Sequence, residues 1–266
     1  MVADRAPLLA VAVVDTGVSE EHLAADAVRP GVNLCGEGLP DITVDDNGHG
    51  TAVADTILRA TSAACIVPVK LMGQYGYPQS PEQLEFAFEW IRAHQHKLGI
   101  HVVCAAFADA GHLTSDELYR GSELQEHVAA LRSCGVPTVA PAGNWFLHNR
   151  HWNPQGMAWP AILREVVSVG AVWRDPEGLL HLADSTQRLH RDVGGACYTT
   201  VFVEPGAPGG TSGAAAVVAG RLLTLRAVSP HAPVDELVAD LLRGSGTARD
   251  DATSLEWPVA TGCELG

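Results

Sequence analysis

The sequence predicts an α/β fold in three layers, αβα, with a mainly parallel central sheet. Two observations carry this. Short apolar runs rich in valine recur along the chain, and stretches of helical periodicity separate them. The runs are apolar throughout rather than alternating, which marks strands buried on both faces, as parallel strands are when helices cover them.

The first run, residues 8–14, breaks at Asp15-Thr16-Gly17, a turn signal. The same texture returns at 65–71, 100–107, 136–142 and 166–172. Helices are expected over 50–60, over 81–97 with Pro81 at its start, and over 116–133, where Cys134-Gly135 supplies the stop. Residues 174–198 are polar and read as surface loops. Helices over 211–227 and 233–243 follow, and residues 244–266 read equally as a strand, a tail or a lid. No internal repeat or Pro/Ser-rich linker divides the chain, so its 266 residues are expected to form a single domain.

Composition narrows the function. Apolar residues make up 47% and charged residues 18%, a globular balance with little room for extended disorder. The apolar runs fall well short of the roughly 20 residues that span a bilayer, so no membrane partner is expected. A net charge of −14, from 31 acidic and 17 basic residues, excludes nucleic acid, because binding phosphate needs clustered Lys and Arg. It is compatible with basic peptides, although its ordinary consequence is solubility. Six cysteines, at 35, 65, 104, 134, 197 and 263, form no CxxC pair and read as reduced core thiols. With no secretion signal visible, they imply a cytoplasmic setting.

In an open parallel sheet, ligands bind beyond the carboxyl ends of the strands. Four segments stand out, three of them next to strand ends: Val13-Val14-Asp15-Thr16-Gly17, Asn47-Gly48-His49-Gly50-Thr51, Ala140-Pro141-Ala142-Gly143-Asn144 and Gly209-Gly210-Thr211-Ser212-Gly213-Ala214-Ala215. Alone, each reads more readily as a turn, a loop or a helix cap. Together and in this order they resemble the aspartate, histidine, oxyanion-asparagine and serine motifs of the subtilisin family. The intervals of 34 residues from Asp15 to His49 and 163 from His49 to Ser212 are similar to that family's. Residues 67–73 and 166–171 resemble two of its core strands, so the similarity covers residues 8–228, with a helix and tail over 229–266.

The resemblance implies a subtilisin-like fold and a serine peptidase acting on a peptide or protein substrate, with Asp15, His49, Ser212 and Asn144 as its catalytic residues. The chemistry agrees. A serine hydroxyl must lose its proton to a base as it attacks, and an imidazole that titrates near neutrality can take it. Asp15 would fix the tautomer. The small residues after Ser212 predict a helix packed against the sheet, whose first N–H groups, with the Asn144 amide, would face an oxyanion.

The resemblance also assigns the substrate cleft. One wall corresponds to Ala106, Phe107 and Ala108, where relatives carry Ser-Leu-Gly-Gly, so Phe107 should reshape the specificity pocket. The other corresponds to Gly76 and Tyr77, with Pro78 lacking an N–H. Ala142 and Gly143 precede the oxyanion asparagine. The serine and histidine motifs depart from the family only at positions that pack helices. The segment between His49 and Val67, which usually contains a calcium-binding loop, is shortened. Calcium is therefore not expected there, and no cofactor is expected elsewhere. A second shortening brings residues 206–209 directly before Ser212, opening or loosening that edge of the cleft. His94, His96, His148 and His151 form no HExxH pattern, and no metal site is expected.

The first strand begins at about residue 8, so the chain is expected to fold without an amino-terminal propeptide or with a helper chain. This resembles cytoplasmic family members that trim a specific precursor peptide. Two alternatives remain open on sequence. One is a macrocyclase or transpeptidase using the same triad, and the other is a catalytically weak peptide-binding pseudoprotease.

Overall fold

In a computed structural model that describes residues 9–24, 26–61, 64–78, 80 and 82–261, the first apolar run forms β1 (Leu9–Asp15). In chain order there follow β2 (Val32–Asn33), β3 (Ala64–Lys70), β4 (Ile100–Ala105), β5 (Thr138–Pro141) and β6 (Val167–Arg174). Then come β7 (Leu180–Leu182), β8 (Val201–Val203), β9 (Gly246–Arg249) and β10 (Glu256–Val259). Across the sheet the order is β2-β3-β1-β4-β5-β6-β8-β10-β9, with β7 paired to β6. Every neighbouring pair from β2 to β10 is parallel, while β9 and β7 run antiparallel to their partners. β1 sits centrally, aligned with β3 from Leu9 opposite Ala64 to Asp15 opposite Lys70.

Successive side chains of β1 go to opposite layers. Val11 and Val13 pack beneath α1 (His49–Ala60), α6 (Gly210–Val228) and α7 (Val234–Leu241). Ala10, Ala12 and Val14 pack beneath α2 (Glu82–Leu98) and α3 (Glu123–Ser133). Both faces are dry, which is why the strand reads as continuously apolar. Two short helices, α4 (Phe146–Asn149) and α5 (Arg191–Gly194), complete the seven formed among the described residues. In α6, Ala214, Ala215, Ala216 and Ala219 are wholly buried, and their small size lets the helix approach both the sheet and α1.

The structure corrects several expectations. Residues 116–133 are not one helix: a 3-10 turn at Glu117–Tyr119 is followed by Gly121 at φ +76°, and α3 restarts with the Ser122 side chain capping Gln125 N. Residues 244–261 are neither tail nor lid. They contain the β9–β10 hairpin, which extends the sheet edge, while residues 262–266 lie outside the described residues. Cys134 is exposed, although Cys35, Cys65, Cys104 and Cys197 are buried free thiols, and Cys263 is not described. Among the described residues, no helix is long and apolar enough to cross a membrane.

The polar stretch 174–198 is not simply surface loop either, because Thr186, Gln187, Arg188 and Leu189 are buried. Arg188 makes a two-point ion pair with Asp250 of the hairpin, Nη2 to Oδ1 at 2.6 Å and Nε to Oδ2 at 3.1 Å. Its guanidinium lies 3.3 Å over the Phe146 ring. Burial lowers the Arg188 pKa from its ordinary value, and the hydrogen bond and charge of Asp250 oppose that. Both partners are almost fully enclosed, so neither tolerates losing the other. Asp250→Ala should cost about 3–5 kcal/mol by leaving a buried cation unpaired, read as a lower midpoint in urea unfolding. An unchanged midpoint would show that the pair does not anchor the hairpin.

Candidate active site

Because the strands are parallel, the loops leaving β1, β4 and β5 emerge on one rim, where α1 and α6 also begin. Asp15 ends β1 and is wholly buried. His49 opens α1 and directs Nδ1 at both Asp15 oxygens, 2.8 Å from Oδ1 and 2.9 Å from Oδ2. Thr16 N also donates to Oδ1, at 2.7 Å. Nδ1 must carry its proton to bond a carboxylate, which leaves the Nε2 lone pair free.

Burial pushes the Asp15 carboxyl above its ordinary pKa, against the pull of the His49 hydrogen bond and charge and of the Thr16 N–H. Burial alone would lower the imidazole, but the hydrogen bond and charge of Asp15, with the charge of Asp45, outweigh it and raise His49.

Ser212 is the third residue of α6. The first backbone bond of that helix runs from Gly213 N to Gly209 O at 2.9 Å, so the Ser212 N–H has no backbone acceptor and points along the positive end of the helix dipole. The turn before it is tight: Gly209 N bonds Gly206 O at 2.8 Å, and Thr56 Oγ1 of α1 donates to Ala207 O at 2.8 Å. That second bond ties the serine loop to the histidine helix. Hydrogen bonds therefore hold this edge in place, against the expectation of a loose one.

Asn144 follows β5 and is exposed. Its Oδ1 accepts from Thr211 N and Thr211 Oγ1, each at 3.1 Å, so the acceptor end is occupied and Nδ2 is the end left for a ligand. His49, Ser212, Asn144, Ala106, Phe107, Ala108 and Gly76 share one cleft of about 200 Å³. Tyr77 does not line that cleft. It is exposed and stacks on Tyr75, with ring centroids 6.1 Å apart. Ala142 and Gly143 are buried behind Asn144 instead of lining the cleft. Thr16, Asn47, Met72 and Trp145 contribute to the lining as well.

Asp45 was not legible as a site residue. Its Oδ1 accepts from Thr16 Oγ1 (2.8 Å), Gly48 N (2.8 Å) and Asn47 N (3.0 Å). Oδ2 accepts from Thr51 N (2.8 Å) and Thr51 Oγ1 (2.7 Å). Thr16 Oγ1 in turn accepts from Gly50 N at 2.9 Å. The carboxylate thus joins the turn that carries Asp15 to the helix start that carries His49. Burial works to raise its pKa, but hydrogen bonds from Thr51, Gly48 and Asn47 outweigh that and hold it below the ordinary carboxylate value.

The model of the subtilase family (Peptidase_S8) matches residues 9–256. The chain belongs to the subtilase family. No curated protein matches this subtilase. Among solved structures it is similar to sphericase, at 20% identity and a TM-score of 0.70, with 91% of this chain and 86% of sphericase covered. At that identity the likeness speaks for the fold, which is subtilisin-like. The subtilase is accordingly a subtilisin-like serine protease, a hydrolase.

Residues 61–63 alone separate α1 from β3, and among the described residues no group of three or more His, Cys, Asp or Glu could hold a metal ion.

Removing the Asp45 charge should lower the His49 pKa, because an anion that favours the imidazolium is lost. NMR titration of the His49 ring in Asp45→Asn should show this shift toward acid. A pKa equal to that of wild type would mean that Asp45 does not act on the ring.

Proposed function

We propose that this subtilase is a serine endopeptidase. Ser212 is the nucleophile, His49 the general base and acid, Asp15 the group that orients the imidazole, and Asn144 the side-chain oxyanion donor. The main support is the paired contact of His49 Nδ1 with the buried Asp15 carboxylate, beside a serine in the same cleft. His49 Nε2 takes the Ser212 proton as Oγ bonds to the peptide carbonyl carbon. The resulting oxyanion is met by the Ser212 N–H and Asn144 Nδ2. His49 then returns the proton to the departing amine as the C–N bond breaks. Water repeats the sequence on the acyl-enzyme, releasing the acid and restoring Ser212. No cofactor enters any step.

The substrate is a peptide held in extended form along the walls at Gly76 and at Ala106, Phe107 and Ala108, where main-chain groups can pair with it. Phe107 and Trp145 add bulk to the lining of the cleft that holds Ser212, which favours a narrow set of peptides. The proposed role is trimming of a specific precursor peptide. The buried free thiols of Cys35, Cys65, Cys104 and Cys197 support a cytoplasmic setting.

A serine-directed fluorophosphonate should label wild type and not Ser212→Ala, and labelling of both or neither would overturn the assignment. Asn144→Ala should keep labelling measurable but lower kcat about 10²–10³-fold, a magnitude carried over from a subtilisin measurement. Activity requires neutral His49, whose pKa is raised, so kcat/KM should fall with decreasing pH through a limb above the ordinary imidazole value of about 6.5. A limb below that value would contradict the raised His49 pKa. Digestion of a peptide library should give few products, and broad cleavage would refute the precursor-trimming role.

A further inference from the structure

Asn144 is the one proposed catalytic group that stands outside regular secondary structure, and the fold surrounds it with hydrogen bonds from a distant segment. Gln187 N donates to Gly143 O at 2.8 Å. Gln187 Oε1 accepts from Trp145 N at 3.3 Å. Phe146 N donates to Ser185 O at 3.1 Å. The residues immediately before and after Asn144 are therefore both bound to Gln187, one by its backbone and one by its side chain. Thr186, between Ser185 and Gln187, accepts from Ala171 N of β6 through Oγ1 at 3.0 Å, so the segment is itself fixed to the sheet.

The Gln187 side chain has no freedom to turn. It is wholly buried. Its Nε2 donates to Gly111 O at 2.8 Å and to His112 Nδ1 at 2.9 Å. The other His112 nitrogen, Nε2, meets Asn153 O at 2.9 Å, which assigns its proton to Nε2 and leaves Nδ1 as the acceptor. An amide flip would set Nε2 against Trp145 N–H and Oε1 against Gly111 O, opposing like groups at both ends. Gly143 completes the fit. It sits at φ +112°, and a Cβ there would come within 2.1 Å of Gln187 Oε1. Gly111 and His112 follow Phe107 and Ala108 along the chain, so Gln187 joins that segment to the Asn144 loop.

We propose that Gln187 is a positioning residue for the oxyanion loop, acting through Asn144 by bracketing the Gly143 carbonyl and the Trp145 N–H. The inference rests on the assignment of Asn144 as oxyanion donor. Gln187 touches neither substrate nor reacting atoms. Its role is to hold the loop so that Thr211 can fix Asn144 Oδ1 and leave Nδ2 aimed at the developing charge. Such a group contributes to the transition state more than to ground-state binding, so its removal acts on kcat.

The test is a double-mutant cycle on the full chain. Gln187→Leu removes the Oε1 acceptor but keeps the backbone bond to Gly143. It should lower kcat about 10- to 100-fold with little change in KM, less than the roughly 10²–10³-fold loss of the donor itself. In an Asn144→Ala background the same substitution should have almost no further effect on kcat, since the group through which it acts is gone. Affinity for a peptide aldehyde, which forms a tetrahedral adduct on Ser212, should fall in parallel with kcat, while affinity for the matching product acid should not. A structural role alone would give losses that add in the double variant, or a change in KM with kcat intact, and either result overturns the proposal. Should Gln187→Leu fail to fold, His112→Phe removes the acceptor that steadies Nε2 and should show a smaller loss of the same kind, again absent in Asn144→Ala. An undiminished kcat in Asn144→Ala, with Ser212→Ala inactive, would instead refute the oxyanion assignment.

Discussion

A carboxylate withdrawn entirely from water at the end of the central strand is the constraint around which this molecule is arranged. Asp15 has no exposed surface, and an ion so placed is tolerated only with hydrogen-bond donors aimed at it. Thr16 N supplies one and His49 Nδ1 another. The first comes with the turn itself. The second must be delivered by a helix that starts 34 residues later, so the geometry of the pair depends on where α1 begins. Asp45 helps to set that start, accepting from Gly48 N and Thr51 N and from Thr16 Oγ1 at the same time. The carboxylate that orients the imidazole is thus matched by another that orients the helix.

The parallel sheet explains why residues so far apart along the chain can meet. Strand ends and helix starts alternate on one rim, and the positive ends of α1 and α6 converge there. The layer beneath is built from small and β-branched side chains, and the all-buried alanine face of α6 brings Ser212 close to the sheet. Packing and chemistry are linked at this point. A larger side chain at Ala214 or Ala215 would displace the helix whose first turn carries Ser212.

Much of this was legible in the sequence, and the illegible parts share a physical reason. β1, β3 and β4 announce themselves because both faces are dry, and Asp15, His49, Asn144 and Ser212 because each sits in a short local motif. β2 and β8, with two and three residues, carry too little pattern to register. Residues 186–189 read as surface because they are polar, yet they are buried. Their partners lie far away in sequence, Asp250 for Arg188 and Gly111 for Gln187, separated by 62 and 76 residues. Local polarity reports the cost of burial but not the distant group that offsets it. Asp45 fails for a related reason, since an acid before Asn-Gly looks like a turn former until the helix it caps is seen. Tyr77 stands away from the cleft at Ser212, and the resemblance supplies a wall position without saying which way a ring projects.

The four groups at the rim differ in what holds them. Asp15 belongs to a strand, and His49 and Ser212 to helix starts, so repeating backbone bonds fix all three. Asn144 belongs to a loop, and a loop has no ladder of its own. An amide donor contributes to catalysis only if it is already aimed when charge appears, because turning it at that moment would cost what it contributes. Rigidity that secondary structure does not provide must therefore come from tertiary hydrogen bonds, and these must be buried to exclude competing water. The polar, enclosed segment 185–187 meets that requirement. Its polarity and its burial, which look contradictory when the chain is read locally, are the two properties needed to hold a loop as firmly as a strand.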